Sequence, residues 1–298
     1  MVVFRSTQRR PATLIGLLAA SLLVACSRGP YEPSTGPASA SPGPDLATIR
    51  TVPIGTDGTP LGYVVRLPAG YFADHGRRWP TIVFLHGLGE TGDGAQRDLG
   101  HLLTASLPAL ARNRTLPAQA RGFVLLAPQT KGPTWEPQLL HAWLAAVLPR
   151  YRLDVDRIYL TGLSAGGGGA VSYVDTYGDD NEFAAVLPIS SDWQPTPAPL
   201  GLPSCQRLAG TPLWAFVGAL DDYVPHQLSI NLVGYLDRHC QPREPARITV
   251  FVSTFHNAWE RVYDLSGMAG YSDPGYDIFT TDPYTWFLKH TRSGRRHA

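Results

Sequence analysis

Short apolar runs alternate along the chain with longer segments whose apolar residues recur at helical spacing. This alternation is typical of a mostly parallel central sheet with helices on both faces, so the sequence predicts an α/β fold. The predicted strands are residues 48–54, 62–67, 81–85, 123–126, 157–161, 184–189, 213–217 and 248–252. The predicted helices are residues 99–111, 137–150, 164–177, 226–239 and 283–289.

The first two predicted strands are joined by a turn around Asp57-Gly58, which favours an antiparallel pair at one edge of the sheet. The remaining strands are parallel in this interpretation, and open sheets of this kind bind ligands at the carboxyl ends of their strands. We therefore look for function in the loops that directly follow strands. Residues 47–292 contain neither an internal repeat nor a segment typical of a second domain, and we predict one catalytic domain there.

Composition agrees with a single globular domain. The chain has 298 residues, of which 44% are hydrophobic and 16% charged, enough to bury one large core. The formal net charge is +1, and the central body has no sustained run of Lys and Arg, which argues against binding to nucleic acid. The short basic tail, residues 293–298, is interpreted as a solvated terminus.

The first 25 residues have the pattern of an export signal. Arg5, Arg9 and Arg10 precede an apolar stretch over residues 14–24 that is too short for an ordinary transmembrane helix. The stretch ends in Leu23-Val24-Ala25-Cys26, which resembles a bacterial lipobox, in which the cysteine is lipidated and becomes the new N-terminus. The resemblance implies an envelope lipoprotein outside the cytoplasm, held at a membrane through Cys26. The alternative is an ordinary signal peptide with an incidental cysteine.

Residues 26–46 are rich in Pro, Ser, Gly and Ala, and Tyr31 is their main large apolar residue. Such a segment buries too little surface to offset its ordering entropy, so we predict a flexible tether. The other two cysteines, Cys205 and Cys240, lie beyond it, and export to an oxidising compartment favours a disulfide between them. Two buried free thiols are the alternative.

The strongest candidate for chemistry is the segment Gly162-Leu163-Ser164-Ala165-Gly166, which follows the apolar strand 157–161 and opens a predicted helix. A serine framed by glycines at a turn from strand to helix is typical of a nucleophile elbow. The turn is so tight that side chains at the flanking positions would collide with nearby backbone, and glycine avoids the collision. The pattern therefore predicts that Ser164 is a nucleophile.

A serine hydroxyl needs a base, and the base needs a carboxylate that orients it. His256 alone among the nine histidines lies in the loop after the last strand, so it is the predicted base. Asp221 and Asp222 follow the preceding strand and complete the order serine, acid, histidine. We favour Asp221, because Asp221 with Val224-Pro225 matches the pattern of the family resemblance described below, over Asp222, whose alternative role is to cap a turn.

Catalysis also requires backbone donors aimed at the oxyanion. One is predicted to be the amide of Ala165, directly after the nucleophile, and the other the amide of Leu88 in the glycine-containing loop 86–90. Glu90 is interpreted as a brace for that loop. Three tryptophans in predicted loops near the carboxyl ends of strands are candidates to line a substrate pocket, with aromatic packing as the alternative: Trp135, Trp193 and Trp259.

With these residues in place, residues 48–290 resemble the secreted esterase and predicted-peptidase branch of the α/β-hydrolases, which includes polyhydroxybutyrate depolymerase-like, feruloyl esterase-like and acetyl xylan esterase-like proteins. The resemblance implies an α/β-hydrolase fold with a Ser164, Asp221 and His256 triad and an oxyanion hole from Leu88 and Ala165. It depends on Phe84-Leu85-His86-Gly87-Leu88-Gly89-Glu90, Ala127-Pro128-Gln129 with Trp135, Val155-Asp156-Arg157-Ile158-Tyr159-Leu160-Thr161-Gly162-Leu163-Ser164, Asp221 with Val224-Pro225, and His256 with Trp259.

The sequence thus predicts a serine hydrolase that cleaves carboxylic esters through an acyl-enzyme and needs no metal or other cofactor. Its expected partner is an ester, either a small molecule or a side group of a polymer. One alternative is a peptidase or amidase that uses the same triad. Another is a non-catalytic envelope lipoprotein that keeps the hydrolase scaffold for binding. The natural substrate and the oligomeric state stay open at this point.

Overall fold

A computed structural model describes residues 47–194 and 202–293 of the chain. Within these ranges the backbone forms one sheet of eight strands. The strands are β1 (Thr48–Val52), β2 (Tyr63–Leu67), β3 (Trp79–Leu85), β4 (Val124–Pro128), β5 (Leu153–Leu163), β6 (Ala185–Ile189), β7 (Trp214–Gly218) and β8 (Arg247–Phe251). Each predicted strand overlaps one of these, so the predicted strand series is confirmed.

The order of the strands across the sheet is β1-β2-β4-β3-β5-β6-β7-β8. Strands β1 and β2 pair antiparallel, from Thr48 opposite Leu67 to Val52 opposite Tyr63, and β2 is also antiparallel to β4. All pairs from β4 to β8 are parallel. The predicted antiparallel edge is therefore confirmed, and the carboxyl ends of β3 to β8 meet at one edge of the sheet.

Helices accompany this sheet, and alternate strand residues belong to separate apolar clusters. Val83 belongs to one buried cluster, while its neighbours Ile82 and Phe84 belong to the other. Because successive side chains of a strand point to opposite faces, both faces of the sheet are buried. The helices are α1 (Ser106–Arg112), α2 (Pro137–Val147), α3 (Ala165–Tyr177), α4 (Leu202–Leu208), α5 (Gln227–Tyr235), α6 (Ala258–Tyr263) and α7 (Pro283–Leu288).

The prediction of one helix over residues 99–111 is wrong. The chain forms a short 3₁₀ turn at His101–Leu103 and starts a separate helix at Ser106. Pro108 explains the break, because proline has no N–H to donate to the carbonyl of Thr104 and its ring crowds that carbonyl. Proline is tolerated only in the first turn of a helix, which is where α1 places it.

The structure also differs from the prediction at α4, α5 and α6. The predicted helix 226–239 is α-helical only to Tyr235 and then continues as a π-helical turn, Leu236–Cys240. Helices α4 and α6 were not predicted, since each has only six or seven residues and shows less than two turns of periodicity.

The predicted disulfide is confirmed. Cys205 in α4 and Cys240 at the end of the π-helical turn are bonded, with 5.0 Å between their Cα atoms. The bond joins segments 35 residues apart and attaches the short helix α4 to the end of α5.

Several predictions concern residues beyond the described ranges. The signal segment 1–25, the lipidation residue Cys26, the tether 26–46 and residues 294–298 of the basic tail all lie outside them. Across residues 47–194 and 202–293, no helix has both the length and the apolar character needed to cross a membrane.

Candidate active site

Ser164 lies at the sharp turn between β5 and α3. Its backbone has φ 52° and ψ −122°, a conformation that a non-glycine residue rarely adopts. Two hydrogen bonds hold it there: the Ser164 N–H donates to the carbonyl of Ile189 at 2.9 Å, and the Ser164 carbonyl accepts from Gly168 at 3.0 Å. The serine is therefore fixed between the sheet and the first turn of α3.

The two framing glycines make this turn sterically feasible. A Cβ atom at Gly162 would lie 2.4 Å from the carbonyl oxygen of Gly166, and one at Gly166 would lie 2.1 Å from the carbonyl oxygen of Leu85. Both distances are far below van der Waals contact with backbone that cannot move aside. The structure thus gives a specific cause for the glycines around Ser164.

The structure brings His256 between Ser164 and Asp221. His256 follows β8, and its Nε2 lies 2.9 Å from Ser164 Oγ. On the other side of the ring, Nδ1 lies 2.8 Å from Asp221 Oδ2. Because the carboxylate can only accept, Nδ1 carries the hydrogen and Nε2 is left to accept from the serine hydroxyl. The arrangement can transfer a proton from Ser164 to His256.

Asp221, and not its neighbour, has the side chain turned to the histidine. Its side chain is fully buried, and its second oxygen, Oδ1, accepts the backbone N–H groups of Tyr223 and Val224 at 3.0 and 2.9 Å. Asp222 is exposed. Both oxygens of the Asp221 carboxylate thus take part in hydrogen bonds, and these bonds hold the carboxylate in one position against His256.

Aromatic and backbone contacts restrict the His256 ring further. The ring of Trp259 meets it edge to face, with 5.2 Å between centroids, and the ring of Tyr223 lies 5.4 Å away. The His256 carbonyl accepts the hydroxyl of Ser190 at 2.8 Å. The His256 side chain keeps 17% of its surface exposed, so one side of the imidazole is open to a substrate.

The loop after β3 lies against Ser164, and a hydrogen bond between Gly87 and Glu90 stabilises it. A Cβ atom added to Gly87 would sit 3.5 Å from Ser164 Cβ, which places this backbone beside the hydroxyl. The Gly87 N–H donates to Glu90 Oε2 at 3.1 Å, as the brace interpretation of Glu90 predicts. Burial raises the pKa of the Glu90 carboxyl above its ordinary value. Leu88 begins the 3₁₀ turn of this loop and its side chain is exposed.

His86 is a buried support that the sequence prediction left without a role. Its Nε2 lies 3.0 Å from the backbone nitrogen of Thr130, and its Nδ1 lies 2.6 Å from the carbonyl oxygen of Gly87. An amide only donates, so Nε2 accepts and Nδ1 carries the hydrogen. Burial lowers the pKa of His86 to about 4, which keeps the imidazole neutral at neutral pH.

A cavity of about 210 Å³ lies against the first turns of α3, and Ser164 is not among its lining residues. Trp135 and Trp193 both line it together with Ala165, the residue after Ser164. Trp135 is fixed by the bond from its Nε1 to the His86 carbonyl, 3.1 Å away. Trp259 is not among the residues that line this cavity and instead packs against the His256 ring. The structure thus brings two of the three predicted pocket tryptophans together.

Asp192 also lines this cavity, and sequence reasoning missed it. A Cβ atom at Gly168 would lie 1.9 Å from Asp192 Oδ1, so the carboxylate packs directly on the glycine-rich first turn of α3. Partial desolvation raises the pKa of Asp192, and the nearby His256 opposes that rise. Among the described residues Asp192 forms no ion pair with Lys or Arg. The feature of the sequence that could have identified Asp192 is its position three residues after β6, at the carboxyl edge of the sheet.

Gln129 is another polar residue that follows a strand and supports the site. Its side chain is buried and donates to the carbonyls of Glu90 and Asp98, at 3.0 and 2.9 Å, and accepts from Gly94. It therefore joins the loop after β4 to the loop after β3.

Within the described part of the chain, no group of three or more His, Cys, Asp or Glu side chains is placed to hold a metal ion.

The sequence matches no protein-family model and no curated protein. Solved structures do match. A ferulic acid esterase has 18% identity and a TM-score of 0.52, over 74% of this chain and 95% of its own. The fluorophosphonate-binding serine hydrolase F of Staphylococcus aureus has 14% identity and a TM-score of 0.55, over 83% and 99%. The S-formylglutathione hydrolase of the same organism has 14% identity and a TM-score of 0.51, over 83% and 98%.

At these identities the likeness concerns the fold, and the described structure agrees with it in detail. The mostly parallel eight-stranded sheet carries an antiparallel edge, and a tight turn from strand to helix holds a serine at its tip. The chain therefore has the α/β-hydrolase fold that its sequence predicts.

Proposed function

We propose that this chain is a serine hydrolase that cleaves carboxylic esters, with Ser164 as the nucleophile. The observation that carries the proposal is the hydrogen-bonded series from Ser164 Oγ through both nitrogens of His256 to Asp221, with distances of 2.9 and 2.8 Å. A nucleophile, a base and an orienting carboxylate in this order are what an unactivated serine hydroxyl needs.

In the first step His256 Nε2 takes the proton of Ser164 as Oγ attacks the ester carbonyl carbon. The imidazole becomes positively charged, and the buried Asp221 carboxylate stabilises that charge and keeps Nδ1 as the donor. The strained backbone of Ser164 keeps Oγ at the tip of the turn, so attack needs little reorganisation of the protein.

The tetrahedral intermediate has a negatively charged oxygen that needs donors already in place. Ala165 is the first residue of α3, so its N–H has no partner within the helix and is one candidate. Leu88 is the other. The bond from His86 to the Gly87 carbonyl orients the Gly87–Leu88 peptide, and in a trans peptide the N–H points away from the carbonyl. The Leu88 N–H is then directed away from His86.

Collapse of this intermediate breaks the ester bond. The leaving alkoxide receives the proton held by His256 and departs as an alcohol, leaving an acyl group on Ser164 Oγ. A water molecule then gives its proton to His256 Nε2 and attacks the acyl carbon, which releases the carboxylic acid and returns the proton to Ser164. No metal or other cofactor enters this cycle.

Ester cleavage is favoured over amide cleavage by the setting of the site. The cavity that Ala165, the residue after Ser164, helps to line measures only about 210 Å³ and has two tryptophans in its wall, which suits one acyl or aryl group better than an extended peptide. Structures with the same fold include a ferulic acid esterase, whose substrate class gives the proposal a precedent.

We also propose that the protein acts outside the cytoplasm, held at a membrane by a lipid on Cys26. The lipobox-like segment before Cys26 supports this, and the disulfide between Cys205 and Cys240 supports an oxidising compartment. Metabolic labelling of cells with an alkyne fatty acid tests the anchor. Label should enter the wild-type protein and be absent from Cys26→Ser, and equal labelling of both would overturn it.

The catalytic proposal is tested with a fluorophosphonate probe and two substrate panels, p-nitrophenyl esters and peptide anilides. Wild-type protein should be labelled and should prefer esters. Ser164→Ala should lose the label and lower kcat by a factor on the order of 10⁶. Ser266→Ala, which alters an exposed serine outside the site, is the matched control and should behave as wild type.

Each alternative has its own outcome. Faster turnover of anilides than of esters identifies a peptidase or amidase. Absence of both labelling and hydrolysis in a folded wild-type protein identifies a binding protein on a hydrolase scaffold. Full activity in Ser164→Ala contradicts the assignment of the nucleophile.

A further inference from the structure

A second cavity lies apart from Ser164 and is lined by four arginines. It has a volume of about 590 Å³, and none of its ten lining residues is an aspartate or glutamate. None of the ten is a residue that the proposed catalytic cycle uses. The arginines are Arg66 in β2, Arg112 at the end of α1, and Arg114 and Arg121 in the loops that follow. We call this cavity the arginine groove.

Arg66 is buried within the groove without a carboxylate to neutralise it. Only 5% of the residue is exposed. Its guanidinium donates to the carbonyls of Arg121 and Phe123, at distances from 2.8 to 3.1 Å, so its known partners are neutral oxygens. Desolvation, with repulsion from Arg121, lowers the pKa of Arg66 to about 10. A buried charge without a counterion is costly, and a bound anion would relieve that cost.

The other three arginines add positive charge to the same rim. Arg112, Arg114 and Arg121 are exposed, and none of the four arginines forms an ion pair with any residue that the structure describes. On a protein whose formal net charge is only +1, four arginines that line one cavity and form no ion pair with a described residue are a local concentration of charge. Such a concentration attracts anions.

We propose that the arginine groove binds the phosphate group of a phosphate ester. Guanidinium groups match the geometry of phosphate oxygens through paired N–H donors, which makes arginine the preferred residue for this anion. The volume of the groove exceeds that of a single inorganic ion, so it has room for the organic part of an ester as well. This inference is independent of the proposed ester hydrolysis.

The groove lies where the described chain begins. Ala47 and Thr48 both line it, and the predicted tether, residues 26–46, is covalently joined to Ala47. Two sources of the bound phosphate group therefore have to be compared. One is a soluble phosphate monoester, and the other is the phosphodiester of a lipid headgroup at the membrane that the tether would reach.

Calorimetric titration of the purified full chain in a non-ionic detergent compares the sources directly. The ligands are inorganic phosphate, glycerol 1-phosphate, glycerophosphoglycerol and, as a zwitterionic control, glycerophosphocholine; none contains a carboxylic ester. We expect saturable binding of at least one of the two anionic esters, tighter than that of the control and weakened by added salt. Tighter binding of the monoester identifies a soluble source, and tighter binding of glycerophosphoglycerol identifies a headgroup.

The exposed arginines are the ones to change, because Arg66 donates to the carbonyls of Arg121 and Phe123 and loss of those bonds would destabilise the fold. The double variant Arg112→Gln with Arg114→Gln should keep the wild-type melting temperature and lower the affinity roughly tenfold for each arginine removed. Arg97→Gln with Arg243→Gln removes the same charge outside the groove and should bind as wild type. Absence of binding by the wild-type chain, or equal weakening in both double variants, overturns the proposal.

Discussion

His86 Nε2 accepts the backbone N–H of Thr130 at 3.0 Å, so a side chain at the end of β3 is bonded to the loop after the neighbouring strand β4. The opposite nitrogen of the same ring donates to Gly87 in the loop beside Ser164. The bond from Thr130 requires an unprotonated Nε2 and therefore the neutral ring, whose hydrogen then lies on Nδ1. The link between the loops after β3 and β4 thus depends on the protonation state of one buried histidine.

This dependence predicts a loss of stability at mildly acidic pH. The pKa of His86 is about 4 in the folded protein, against about 6.5 in an unfolded chain, so the unfolded state binds the proton first. The contribution of the neutral ring is complete above pH 6.5 and is lost as the pH falls from 6.5 to 4. Over that window the free energy of unfolding should fall by on the order of 3 kcal/mol from this group.

Urea unfolding at a series of pH values measures the effect. His86→Gln is expected to be less stable than wild type at pH 7 but to lose less stability between pH 6.5 and 4. His101→Gln, at an exposed histidine, serves as the control and should follow the wild-type curve. Parallel curves for wild type and His86→Gln would contradict a buried neutral imidazole.

Gly166→Ala should disrupt the turn at Ser164. The new Cβ atom would lie 2.1 Å from the carbonyl oxygen of Leu85, a backbone atom in the middle of the sheet, so the turn itself must shift. We expect a loss of about 2 kcal/mol or more in the free energy of unfolding, with esterase activity reduced at least 100-fold. Thermal unfolding and p-nitrophenyl acetate hydrolysis measure the two effects.

Gly100→Ala is the matched control for that substitution. Gly100 has φ −60°, and a Cβ atom there meets nothing within 4 Å. Alanine should leave activity unchanged and either leave stability unchanged or raise it by up to about 1 kcal/mol, through the unfolded chain. If both variants retain full activity, the steric account of the elbow is wrong.

Removal of the disulfide should destabilise the domain without altering the chemistry. The bond between Cys205 and Cys240 closes a loop of 35 residues, which corresponds to roughly 3 to 4 kcal/mol in the chain-entropy treatment. Cys205→Ser with Cys240→Ser should therefore unfold at a lower urea concentration. Its kcat on p-nitrophenyl esters at 25 °C should stay near that of wild type, because neither cysteine touches the site. An unchanged unfolding midpoint would mean that the bond constrains little.

Asp192 should select against negatively charged acyl groups, because its carboxylate lines the cavity next to Ala165 without an ion-pair partner among the described residues. Asp192→Asn should raise kcat/KM for mono-p-nitrophenyl succinate relative to p-nitrophenyl acetate, roughly three- to tenfold. Asp264→Asn, at an exposed position outside the cavity, should leave the ratio unchanged. A ratio that stays constant in both variants would place the acyl group elsewhere.

The strands were predictable because each is a continuous run of apolar residues, a pattern that can be recognised in the sequence without knowledge of the fold. The break within residues 99–111 was not predictable from apolar spacing, because apolar residues continue at helical intervals across it. The break comes before Ser106, since Pro108 is tolerated only in the first turn of a helix. Around the site, the choice between Asp221 and Asp222 needed the turn at residues 221–224, whose amides hold one carboxylate and leave the other exposed. Adjacent side chains point in different directions, and only the folded turn decides which one reaches His256.

The sequence by itself determined the alternation of strands and helices, the glycine-framed turn at Ser164, and the order of serine, aspartate and histidine after three strands. These properties are carried by backbone periodicity, glycine sterics and the chemistry of single side chains, all of which are local. Only the tertiary structure decided that Trp135 and Trp193 share a cavity while Trp259 lies against His256, and that Arg66 meets arginines from another segment. Such contacts join residues far apart in the chain, and they exist only once the packing of the sheet and its helices has set the distances between them.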